Sequence, residues 1–131
     1  MSMDKKENSK SVLVLGASLK PHRYSNRAIL ALKERGHTVH AIGRSVGELV
    51  NGVRIQANFQ DFGIDFKVHT ISVYLNEGNQ SEYEEDIIAL KPERVIFNPG
   101  AENADLYSKL RKEGIETLNA CTLVMLSIGN F

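Results

Sequence analysis

The residues with the clearest chemistry lie together near the start of the chain, in Gly16-Ala17-Ser18-Leu19-Lys20-Pro21-His22-Arg23-Tyr24-Ser25. Gly16 ends an apolar run, where the backbone must turn sharply and can let a ligand approach closely. The N–H groups that follow it, and the start of the helix beyond, suit an anion. Ser18 and Ser25 offer hydroxyls, while Lys20 and Arg23 offer positive charge, and together these fit phosphate oxygens. A plain strand-to-helix turn with solvated basic residues would carry some of the same types. A glycine, two hydroxyls and two cations in so short a span favour phosphate. The stretch is not the full G-x-G-x-x-G of dinucleotide enzymes.

Two further stretches bear on the ligand. Sites for NAD usually place Asp or Glu at the end of the second strand to hold the ribose hydroxyls. Here that place reads Ile42-Gly43-Arg44, without an acid. Arg44 could pair with a phosphate on the ribose, which both NADP and CoA carry, or could be an ordinary surface residue. Asn98-Pro99-Gly100, with Glu102 and Asn103 behind it, should face the first loop across a crevice. It also reads as a strand-to-helix turn with Asn103 or a neighbour as cap, and both can hold at once.

No constellation for turnover stands out. His37 and His40 are three apart on a strand and so point to opposite faces, which makes no metal pair. His22 and His69 add no compatible ligand set, and Cys121 is the only thiol. No metal site and no catalytic residue are therefore assigned. Cys121 sits in an apolar stretch that suggests a buried, inert thiol, with redox sensing or a mixed disulfide with CoA as the sharper alternative. Glu82, Glu84, Glu85 and Asp86 read as the solvated face of a helix.

The elements that must position these residues alternate along the chain. From Ser11 to Gly16 the chain is an apolar run ending in glycine, fit for a strand buried on both faces of a parallel sheet. Tyr24, Ala28, Ala31 and Leu32 mark an amphipathic helix stopped by Gly36, with Ser25 as the better cap by chemistry. A second strand over 37–42 completes a βαβ unit. The stretch 43–67 is the least legible, with a small excursion expected at Val50-Asn51-Gly52-Val53 because Asn-Gly favours tight hairpin turns. Strands over 68–75, 94–97 and 115–118 follow, with helices between them around Tyr83, Ile87 and Leu90 and over about 102–113. A short helix is expected after Cys121. The fold class is therefore α/β: a doubly wound, mostly parallel five-stranded sheet, Rossmann-like, in three α/β/α layers. The order 3-2-1-4-5 puts the switch point, and hence the ligand, between the first and fourth strands.

A chain of 131 residues suits one domain. Met1–Lys10 reads as a disordered N-terminal tail and 11–131 as the domain. Sixteen basic residues balance sixteen acidic ones, which gives no electrostatic reason to expect nucleic acid or an anionic membrane as partner. Nothing resembles a signal peptide, and no apolar run nears the ~20 residues of a bilayer crossing. These readings give a soluble, cytoplasmic, single-domain protein whose partner is a small nucleotide-like molecule. A homodimer protecting its sheet edges, or an unidentified protein partner, stays open.

Gly16-Ala17-Ser18-x-x-Pro21-x-Arg23-x-Ser25-Asn26 resembles the opening signature of the small single-domain CoA-binding proteins. That family is related to the CoA-binding domain of the succinyl-CoA synthetase α subunit. Leu32-x-x-x-Gly36-His37-x-Val39, Ile71-Ser-Val-Tyr-Leu75, Asn98-Pro99-Gly100-Ala101-Glu102-Asn103 and Asn119-Ala-Cys-Thr-Leu-Val-Met125 are similar too, so the likeness spans 11–131. It implies a Rossmann-like fold that binds CoA or acyl-CoA with the pyrophosphate near the first loop. It also implies binding roles for Gly16, Ala17, Ser18, Lys20, Arg23 and Ser25. Gly43 and Arg44 stand where many relatives carry an Asn-Pro pair. The function implied is a CoA-binding module without evident catalytic residues. The alternatives are a Rossmann-type NADP-binding oxidoreductase or sensor, and a protein-interaction domain that has lost its ligand.

Overall fold

The computed structural model describes residues 9–49 and 51–131. The expected tail over 1–8, and Val50 in the expected turn, lie outside those residues. Ser9 and Lys10, read as the end of that tail, are already tied to the sheet. The Ser9 hydroxyl donates to the Gly36 carbonyl, and the Lys10 N–H donates to His37 Nδ1 at 3.0 Å.

The sheet is built on β1, Ser11–Leu15, whose residues Val12 to Leu15 have no exposed surface. A strand this apolar needs cover on both faces, and alternation divides its side chains between two cores. Val12 and Val14 pack with Ile29 and Leu32 of helix α1 (Tyr24–Glu34) and with Leu126 of helix α5 (Thr122–Ser127). Leu13 and Leu15 face the other core, with Ile87 of α3 (Glu84–Leu90) and Leu106 and Leu110 of α4 (Ala104–Lys112). The result is three layers, as expected from the alternating elements. Burying each such aliphatic side chain stabilises the fold by about 1.5–3 kcal/mol.

Seven strands pair among the described residues, not five. They are β1, β2 (Thr38–Ile42), β3 (Gly47–Glu48), β4 (Arg54–Gln56), β5 (Thr70–Val73), β6 (Arg94–Phe97) and β7 (Glu116–Asn119). Their order is β3-β4-β2-β1-β5-β6-β7, and only the β3–β4 pair is antiparallel. The additional strands form the hairpin foreshadowed by Asn51-Gly52. Gly52 has φ +88°, and the Asn51 side chain accepts from the Val53 N–H.

This hairpin corrects the expected order. β4 pairs parallel with β2 and takes the place beside it that the third long strand was expected to fill. β5 therefore crosses to the free side of β1, with Val12 opposite Thr70 and Leu15 opposite Val73. The switch point lies between β1 and β5, one strand closer than the sequence suggested. A one-turn helix α2 (Glu77–Gln80) and a 3₁₀ turn lead from β5 into α3. Lys91, in the left-handed region at φ 51°, ends α3 just before Pro92.

The outer edge of β7 is partly covered by its own helix. Arg111 donates from Nε to the Thr117 hydroxyl at 2.6 Å and from Nη2 to the Thr117 carbonyl at 3.0 Å. An edge carbonyl met by a guanidinium is a poor template for another strand.

Candidate functional site

The cleft opens at the carboxyl ends of the strands, where a doubly wound sheet places its ligands. It encloses about 530 Å³ between the loop after β1, the start of α1 and the segments after β2 and β5. Gly16 lies on its wall at φ +95°, where a Cβ would come within 3.0 Å of the Leu75 backbone N. Only glycine combines that backbone conformation with so close an approach. Gly43 makes the second close approach: a Cβ there would lie 2.2 Å from the Ala17 carbonyl oxygen.

Of the residues singled out from the sequence, Gly16, Ala17, Ser18, Lys20, Arg23, Ser25, Arg44 and Pro99 line this cleft. Gly43, Asn98 and Gly100 do not. Gly43 is buried behind the loop and supports it from beneath, through its contact with Ala17. Asn98 is buried, and its side chain is spent on the scaffold. It donates to the Ser72 hydroxyl and the Val73 carbonyl and accepts from the Thr122 N–H, all at 2.8–2.9 Å. Gly100 is exposed, and its N–H donates to Glu102 Oε1.

The donors that could face an anion differ from those expected. The N–H groups of Gly16 and Ala17 both go to the Ile42 carbonyl at 2.9 Å, so they stitch β1 to β2. The Lys20 N–H goes to the Ser18 hydroxyl. What remains is the start of α1. Its cap residue is Arg23, not Ser25, and Arg23 makes no side-chain capping bond. The first turn holds no acidic residue either. The first N–H groups of a helix have no intrahelical partner and carry the positive end of its dipole. Here no capping side chain answers them, and Arg23 and Lys20 stand beside them on the cleft wall. Asn26 holds the loop in place by donating to the Ser18 carbonyl at 2.8 Å.

Across the cleft, the exposed Arg44 guanidinium lies 3.4 Å from Asn79 Oδ1, a loose contact that leaves most of its donors open. Tyr24, Ser45, Tyr74 and Leu75 also line the cleft, and sequence reasoning did not assign them. Tyr74 and Leu75 follow β5, and only the correct strand order brings them beside Gly16. The Tyr74 hydroxyl is buried without a partner of hydrogen-bonding geometry. Burial pushes its pKa up to about 12, although the nearby Ser72 and Thr122 hydroxyls temper the rise. It is neutral at physiological pH and adds no negative charge to the cleft.

Cys121 is half-buried at the start of α5, not enclosed in the core as its apolar neighbours suggested. His37 packs edge-on against Phe131, whereas His40 packs against Phe62 and Phe66 on the other face of β2. Among the described residues no group of three or more His, Cys, Asp or Glu side chains could hold a metal ion. None of the described helices is long and apolar enough to cross a membrane.

The sequence from residue 10 to residue 127 matches the model of the CoA binding domain family. The chain belongs to that family. A solved structure of an uncharacterized protein shares 42% identity over 94% of this chain and 98% of its own, with a TM-score of 0.85. A Thermus thermophilus protein is 21% identical over 99% of this chain and 96% of its own, with a TM-score of 0.81. A hypothetical protein from Pyrococcus horikoshii OT3 is 24% identical over 94% and 87%, with a TM-score of 0.77. The last two likenesses speak for the fold alone. No curated protein matches the sequence. The family match supports a CoA-binding module with a small-molecule ligand.

Proposed function

We propose that this chain binds CoA or acyl-CoA without turning it over, holding the diphosphate at the start of α1. One observation carries the reading. An uncapped, acid-free helix start lies in the same cleft as Ser18, Lys20 and Arg23, at the switch point of the sheet. Ser18 and the first N–H groups of α1 bind phosphate oxygens there, while Lys20 and Arg23 neutralise their charge. Arg44, on the opposite wall, meets the phosphate on the ribose. In this reading the ligand is held as cargo or signal.

Thermal denaturation with CoA, NADP, NAD and ATP at equal concentrations tests this. A ligand at 100 times its Kd stabilises the native state by about 2.7 kcal/mol. CoA is expected to raise Tm by several degrees more than the others, and Ser18→Trp is expected to abolish that rise while the unliganded Tm stays close to the parent. Equal or absent shifts across the panel would overturn the reading, and absent shifts with a co-purifying chain would favour a protein-interaction domain.

A second reading rests on Arg44. Its place on the cleft wall and the lack of an acid after β2 also suit NADP, as in an oxidoreductase or sensor. A larger shift with NADP than with CoA, lost in Arg44→Ala, would promote it.

A further inference from the structure

The most exposed large apolar side chain among the described residues is Ile64, at 99%, against 66% for Ile128 and 65% for Tyr24. The chain is pinned on both sides of it. Before it, a 3₁₀ turn over Phe59–Phe62 is closed by the Asn58 N–H, which donates to Asp61 Oδ2 at 3.0 Å, and Phe59 is buried. After it, the Phe66 ring stacks on Phe62 with centroids 4.4 Å apart, and His40 meets both rings edge-on. Ile64 is thus held out in water by a loop already in place, so little ordering entropy is lost when a partner covers it.

Beside it lies a groove of about 270 Å³ between this loop and α3. Phe66, Ala89 and Leu90 give it apolar walls, and Lys67 and Asp86 stand on it with opposite charges. Among the described residues neither of the two forms an ion pair, and Asp86 accepts from the Gln60 carboxamide at 3.1 Å. Asp65 and Lys91, exposed next to Ile64 and Leu90 in the chain, add one further charge of each sign. The groove shares no lining residue with the cleft at the carboxyl ends of the strands.

A patch of one sign would select a partner of the other. A knob, a hole, an acid and a base on one face make that face complementary to itself. That is the condition for a twofold contact, in which residue i meets j and j meets i. We infer that two copies of this chain pair through this face, with Ile64 of each seated in the groove of the other and Lys67 of each opposite Asp86 of the other. The centre of the contact is apolar and its rim charged, as in other protein interfaces. It runs through a loop and a helix, not through the sheet edges where the sequence left a dimer open. A groove this small gives a weak, concentration-dependent dimer, in the class that buries less than about 1,200 Å².

Sedimentation velocity of the full chain over a concentration series tests the pairing. Mass is expected to rise from one chain toward two, and Ile64→Asp is expected to raise the dissociation constant tenfold or more. Because Ile64 is 99% exposed, that variant is expected to keep the parent Tm. Lys67→Glu sets two acids against each other and Asp86→Lys two bases, so each variant alone is expected to stay single. Mixed in equal amounts, the two are expected to pair again, since each supplies the charge that the other lacks. A parent chain that stays single at every concentration would overturn the proposal, as would an Ile64→Asp chain that pairs like the parent. So would a mixture that stays single while both charge variants keep the parent Tm.

Discussion

The loops after β1 and β6 hold equivalent places at the carboxyl ends of their strands, and each leads into a helix, yet they spend their polar groups in opposite ways. After β6, Asn98 bonds to Ser72, Val73 and Thr122. Asn103 caps α4 through the Leu106 N–H and donates to Gln80, which in turn holds the Leu75 and Ala101 carbonyls. Glu102 takes the Gly100 N–H. That loop is closed upon itself. After β1, by contrast, the helix start has no capping side chain, and Lys20 and Arg23 are exposed on the cleft wall. A buried polar group must be paired within the fold, whereas an exposed one can wait for a ligand. Two stretches that look equally suited to binding therefore divide into a scaffold and a candidate site.

The largest expected effect tests the scaffold side. Asn98→Leu removes three buried hydrogen bonds and strands the Thr122 N–H, at about 1–3 kcal/mol for each group left unpaired. A loss of about 3 kcal/mol is expected in urea denaturation, with the unliganded Tm down by about 10 °C. A loss below about 1 kcal/mol, on the scale of an ordinary surface change, would mean that the β6 loop is as open as the β1 loop.

On the site side, Lys20→Ala and Arg23→Ala are expected to do the reverse. Both side chains are exposed, so unliganded stability should move by no more than about 0.5 kcal/mol. Each loses a charge-assisted contact to phosphate of about 1.5–3 kcal/mol, a tenfold or larger drop in CoA affinity by calorimetry. Substitutions that unfold the chain but spare affinity would break the comparison.

The smallest effect lies outside both loops and sets the baseline for the others. Burial holds the His40 imidazole, packed against Phe62 and Phe66, below its ordinary value of 6.5. The folded state then binds fewer protons than the unfolded chain, so stability is full above about pH 6.5 and declines as pH falls through that value. His37 and His69 are lowered as well, chiefly by burial. Tm of the unliganded chain is expected to drop by a few degrees between pH 7.5 and pH 5.5, and less in His40→Phe. An equal drop in that variant would assign the dependence to other groups.

Much of this fold was legible because its signals are local. The alternation of apolar runs with amphipathic stretches named β1, α1, β2, β5, β6 and β7 at nearly their observed bounds. β4 went unread because three residues with only Ile55 fully buried carry no usable period. That omission displaced β5 in the expected order, since the missing strand occupies the place beside β2. In the site, glycine, hydroxyls and cations were visible as residue types. Tyr74 and Leu75 were not assigned, because nothing in their own stretch says which strand lies next to theirs. The carboxamide of Asn98 gave no sign that its bonds were already taken.

The sequence by itself determined the α/β alternation and the grouping of a glycine, a hydroxyl and two cations at Gly16, Ser18, Lys20 and Arg23, since both rest on side-chain type and short-range spacing. Only the tertiary structure decided that β5 pairs with β1, that Leu75 closes on Gly16, and which polar loop is spent and which is open. The physical reason is that strand pairing joins backbone groups of segments more than fifty residues apart, and those groups are the same in every residue but proline.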